Sequence, residues 1–148
     1  MILKSLYALV ATLTFGILFN IRGKKLVFAS LGGGLSWFIY LLAVYYGKSN
    51  VLSLFIASLA AGILSEAMAR TMKTPVTTFV ICAIIPLVPG GGMYYTMLES
   101  IRGNINTSLN YGLETLTSAG AIAVGIILVS STSKYITLFR ANKKSSRK

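Results

Sequence analysis

Apolar residues run along this chain in five long blocks, at approximately 2–20, 26–46, 51–69, 76–101 and 113–139, with short polar and mostly basic stretches between them. Each block is near the roughly 20 residues that an α-helix needs to cross a hydrocarbon core about 30 Å thick. The pattern predicts an all-α, polytopic membrane protein with five transmembrane helices. The first block has Lys4 near its start, no small-residue cleavage site, and Arg22, Lys24 and Lys25 directly after it, so it reads as a retained helix rather than a removed leader. Small residues form stripes in the second block (Gly32, Gly33, Gly34, Ser36), the third (Ser58, Ala61, Gly62, Ser65) and the fifth (Ser118, Ala119, Gly120, Ala121, Gly125), where another backbone can approach closely. Tyr45 and Tyr46 end the second block where an interfacial aromatic belt belongs.

The fourth block is interrupted by Pro86-Leu-Val-Pro89-Gly90-Gly91-Gly92. Neither proline carries an N–H, so the carbonyls of Cys82 and Ile85 are expected to lose their helical donors, and three glycines free the backbone to turn. From Val76 to Pro86 a helix climbs roughly 16 Å, which predicts a break near the bilayer midplane. A second half-helix is expected to begin around Gly92 or Met93, with its N-terminal amides aimed back at the break. Unpaired backbone at such depth costs several kcal/mol per group unless protein or a wet cavity covers it, and broken helices are a recurring substrate-site device in transporters. The candidate solute path is therefore Pro86, Pro89, Gly90, Gly91 and Gly92, with hydroxyls from Tyr94, Tyr95 and Thr96. For the two tyrosines, ordinary packing against a neighbour is the alternative.

Composition narrows the chemistry. Among 148 residues there is no His and no Asp, three Glu and one Cys, which removes most of the vocabulary of metal sites and catalytic triads and argues against an enzyme; no catalytic residue, metal or cofactor is expected. Cys82 lies inside an apolar block and reads as a small buried hydrophobe. Glu66 is the acid placed furthest inside an apolar segment, one turn before Arg70, so the two form either a structural ion pair or part of a coupling site. Glu99 and Glu114 flank the polar connection 102–112 and read as solvated boundary residues. The net charge of +11 is a topology signal rather than a mark of nucleic-acid binding. With five spans, eleven basic residues (Arg22, Lys24, Lys25, Arg70, Lys73, Lys134 and the five in 140–148) share one side, against Lys4, Lys48 and Arg102 on the other. This predicts an external N-terminus and a cytoplasmic C-terminus, with 140–148 as a basic tail beside anionic membrane lipid.

The stretch from Pro86 through Gly92 with Tyr94-Tyr95-Thr96-Met97, together with Phe19-Asn20, Ser65-Glu66-Ala67-Met68-Ala69-Arg70 and Lys73-Thr74-Pro75, resembles the threonine/serine exporter family. The likeness is to its five-helix C-terminal half, which in many bacteria is a separate small subunit, and it covers nearly the whole chain. The resemblance implies an inner-membrane exporter of small carboxylates or amino acids, threonine and serine in some members and succinate in others. It also implies a partner, a large subunit with its own five helices and a soluble N-terminal domain. Five is an odd number, so a second five-helix unit joined head to tail has inverted topology, the repeat arrangement of many secondary transporters. The alternative is a non-transporting membrane scaffold or regulatory subunit.

Overall fold

The computed structural model describes the backbone of residues 1–145 and the side chains of residues 1–135. It is helical throughout that range: α1 (Ile2–Leu18), α2 (Lys24–Tyr45), α3 (Asn50–Met72), α4 (Val76–Ile84) with a single 3-10 turn (Ile85–Leu87), α5 (Gly90–Ile101) and α6 (Ile105–Ser145). The connections are short and closed by local chemistry. Asn20 takes a left-handed conformation after α1, accepts a hydrogen bond from Arg22 Nε at 2.9 Å through Oδ1, and is followed by Ile21, whose N–H reaches back to Gly16 O at 3.0 Å. Gly47 and Gly103, both with positive φ, do the same after α2 and α5, letting Lys48 N–H reach Ala43 O and Asn104 N–H reach Glu99 O. Pro75 separates α3 from α4, since it cannot continue the first helix but is tolerated at the start of the second.

Three helices, α2, α3 and the 105–135 part of α6, are long and apolar enough to cross a membrane, and the pair 76–87 and 90–101, bent by 53°, makes a fourth if it counts as one span. α1 is apolar but only 17 residues long. The fifth expected helix is displaced. It was placed at 113–139 after a polar connection 102–112, whereas α6 begins at Ile105 and continues through Ser145, leaving only residues 102–104 as a turn. Of the basic tail, 140–145 continues α6; its side chains and residues 146–148 lie outside the described residues.

α3 is the centre of the bundle, packed against α2, α4 and α6, while α1 lies on α2 and α5 packs chiefly on α6. Two apolar clusters hold it. Ile21, Ala29, Ala69, Phe79 and Cys82 close one end, and Leu54, Ala57, Leu87 and Ile122 close the other. The small-residue stripes of α2 and α3 are consumed inside the chain, as is Gly125 of α6, while Ala119 and Gly120 of α6 stay exposed. A Cβ on Gly33 would stand 2.8 Å from Thr12 Cβ of α1, and one on Gly125 would stand 3.1 Å from Ser58 Cβ of α3, so only glycine allows either approach. Of the seven buried Ser and Thr residues among the described side chains, six donate to their own helix: Thr12 to Ala8 O, Ser30 to Leu26 O, Ser36 to Gly32 O, Ser53 to Ser49 O, Ser58 to Phe55 O and Ser65 to Ala61 O, at 2.7–2.9 Å. Ser118 is the exception.

Candidate functional site

The interruption between α4 and α5 follows from its residues. Pro86 ends the α-helical ladder, the chain tightens into the 3-10 turn, and the Val88 N–H closes it on Ile85 O at 3.3 Å. The Ile85 carbonyl, expected to be free, is therefore occupied. Pro89 sits just before α5, which starts at Gly90 rather than at Gly92 or Met93, so the three glycines form its first turn instead of an unwound linker. Gly90 N–H reaches Val88 O at 2.8 Å and Met93 N–H reaches Pro89 O at 3.2 Å. The N–H groups of Gly91 and Gly92 have no acceptor among the described residues, and no side chain caps the helix.

Leu87 packs against Leu54 and Ala57, and Pro89 shares a cavity with Asn50, the first residue of α3. Measured along α3, whose middle residue is Ala61, the break therefore lies about 8 Å toward the end where that helix begins.

A cavity of about 320 Å³ opens beside the break. Of the expected path residues, Pro89, Gly91, Gly92 and Tyr95 line it, joined by Asn50 from α3 and by Tyr111, Glu114, Thr115 and Ser118 from α6. Pro86 instead lines a second cavity, of about 370 Å³, with Lys4, Tyr7, Ala8, Ala11 and Trp37. Gly90, Tyr94 and Thr96 line neither. Tyr94 is exposed with its ring against Tyr95, whose other neighbour is Tyr111 at 5.6 Å between centroids. The Thr96 hydroxyl donates to Gly92 O at 2.7 Å, and its carbonyl accepts from Ser108, which ties α5 to α6. Asn50 Oδ1 accepts from the Tyr40 hydroxyl at 2.9 Å.

The α6 residues of this cavity were not legible as a group because the helix was expected to begin near Leu113. Starting at Ile105, it carries Tyr111, Thr115 and Ser118 on one face at spacings of four and three. Gly103-Asn104, a helix-stopping residue followed by a residue type that favours helix N-termini, was the available signal. Glu114 consequently borders the cavity instead of merely flanking a loop. Glu99 does belong to the turn, paired with Arg102 at 2.9 Å and accepting from Asn104 at 2.7 Å.

Glu66 and Arg70 meet, with Oε2 to Nε at 3.6 Å, and Arg70 Nη2 donates to Ser133 Oγ at 2.9 Å, linking α3 to α6. Both line a basin of about 760 Å³ between α3, α4 and α6 that also contains Lys134, at the opposite end of the bundle from the break. The two candidate sites are thus separate. Glu66 reaches no residue of the break.

The family described as Threonine/Serine exporter, ThrE, matches residues 4–132, and the chain belongs to it. No solved structure matches the chain. The family is one of transporters rather than enzymes, and with these apolar helices the chain is a multi-pass membrane protein.

Proposed function

We propose that this chain is a subunit of a secondary exporter of small carboxylates or amino acids, threonine- and serine-like and with succinate in the same size range, across the cytoplasmic membrane. In this reading α1, α2, α3, the bent pair α4–α5, and α6 are five spans, with the N-terminus external and the C-terminus cytoplasmic. The observation that carries it is the pair of unpaired amides at Gly91 and Gly92, side by side at a positive helix end, on residues that line a cavity together with Asn50, Glu114, Thr115 and Ser118. Such donors suit a carboxylate, and in a membrane they are tolerated only where solute, water or protein meets them. With the proposed orientation the cavity lies toward the external face, on the exit side of the path.

The partner in this proposal is a large subunit of the same family with five helices and a soluble N-terminal domain. α5 supports it, because this half-helix buries none of its residues and leaves Met93, Tyr94, Met97 and Ile101 more than half exposed. A second helical unit against α5 would cover both that surface and the open flank of the cavity.

Gly91→Leu tests the reading. A Cβ at Gly91 meets nothing within 4 Å, so leucine fits the fold while its side chain enters the cavity. Efflux from proteoliposomes holding both subunits should fall at least roughly tenfold, the scale on which a small misplacement near a bound solute acts, with membrane insertion and subunit association unchanged. Full efflux by this variant would remove the site assignment.

A further inference from the structure

The cavity holds opposite electrostatic features at its two walls. On the α5 side are the unpaired N–H groups of Gly91 and Gly92. On the α6 side is the Glu114 carboxylate, which makes no ion pair or hydrogen bond among the described residues. The walls are held together next to that point, since Thr115 is the residue that a Cβ on Gly92 would strike. One turn further along α6, Ser118 is only 1% exposed, and its hydroxyl, alone among the buried Ser and Thr side chains, has no partner among the described residues. No fully buried side-chain polar atom lacks a partner among the described residues, so the Ser118 hydroxyl, unlike the six that bond their own helices, opens on the cavity, where a ligand or water can meet it. No Lys or Arg lines the cavity.

We propose that Glu114 is the counter-charge for an ammonium group, so that the cavity binds an α-amino acid across its width, with the carboxylate on the Gly91 and Gly92 amides and a side-chain hydroxyl within reach of Ser118. This rests on the exporter reading and divides its two solute classes. A dicarboxylate would bring its second negative charge to the Glu114 wall, with no cation to receive it, whereas a zwitterion matches both walls. The arrangement makes Glu114 a specificity determinant. Gly91 and Gly92 recognise what both solute classes share.

Three probes of similar size separate the possibilities: L-serine; glycerate, which keeps the carboxylate and hydroxyl but has no ammonium; and succinate. Binding is measured on the full-length chain assembled with its large subunit in nanodiscs, and efflux on the same complex in proteoliposomes. Wild type should bind serine at least roughly tenfold more tightly than glycerate or succinate, and Glu114→Gln should weaken serine by roughly tenfold to a hundredfold, the span for one hydrogen bond to a charged group. Glycerate binding should be unchanged or improved in that variant, a readout that a general loss of structure would not give. Ser118→Ala should weaken serine severalfold while keeping the preference over glycerate. Equal binding of the three probes by wild type, or an undiminished serine preference in Glu114→Gln, overturns the proposal. Efflux of succinate without binding of serine also overturns it and leaves the exporter reading standing, while absence of efflux for every solute defeats that reading itself.

Discussion

Gly92→Ala is the substitution whose outcome is most tightly set by the geometry. The new Cβ would stand 3.4 Å from Thr115 Cβ and would strike the Thr115 hydroxyl, which donates to Tyr111 O at 2.6 Å. Forcing one extra carbon into such a contact costs about 1–3 kcal/mol, and turning the threonine away gives up a hydrogen bond of about 0.5–1.5 kcal/mol. Alanine returns roughly 0.5–1 kcal/mol through its better helix propensity. The net expectation is a loss of about 1–2 kcal/mol, or a melting temperature lower by roughly 3–6 °C for a chain of this length. Cys82 provides the assay, being the single cysteine and completely buried, so that a thiol-reactive fluorophore reports unfolding during a temperature ramp. Thr115→Ala in the same chain removes the struck hydroxyl and should restore most of the loss, giving a coupling of about 1 kcal/mol or more in the double-mutant cycle. Gly91→Ala, with nothing in its way, is the control and should melt like wild type or slightly higher. A Gly92→Ala chain as stable as wild type, or a double variant no better than the single one, would refute the claim that α5 is seated on α6 through this contact.

Glu66→Gln should change stability by less than about 1 kcal/mol, because the contact with Arg70 is long, at 3.6 Å, the Arg70 side chain is about half exposed, and Arg70 retains Ser133. Efflux should stay within about twofold of wild type; its complete loss would make Glu66 a coupling group instead of half of a structural pair. Reporters inserted at Gly103, in the turn between α5 and α6, should be active on the external side and those fused after Lys148 on the cytoplasmic side. The reverse pattern would invert the proposed exit end.

Helix character and the place of the interruption were readable from residue order, because long apolar blocks and a doubled proline leave few other solutions. The start of α6 was not. The run 104–112 is polar by composition, with Asn104, Asn106, Thr107, Ser108 and Asn110, and reads as a loop, yet it pairs with α5 through Ser108 and Thr96 and is helical in that setting. Tertiary contact overrode local composition there, as it can wherever propensity is weak. That single shift kept Glu114 and Ser118 out of the candidate path, whereas Gly91, Gly92 and Tyr95 were named from the sequence and line the same cavity.

The way the buried hydroxyls are satisfied has a mechanical corollary. Each of the six spends its proton on a carbonyl one turn behind, so no polar bond need break when neighbouring rods slip or tilt past one another. The polar links between helices in the described residues, Tyr40 to Asn50, Ser108 to Thr96 and Arg70 to Ser133, sit close to where rods start or stop. A bundle latched near its ends and lubricated through its middle can rock as a body, which is the motion that exposing a cavity first to one face and then to the other demands.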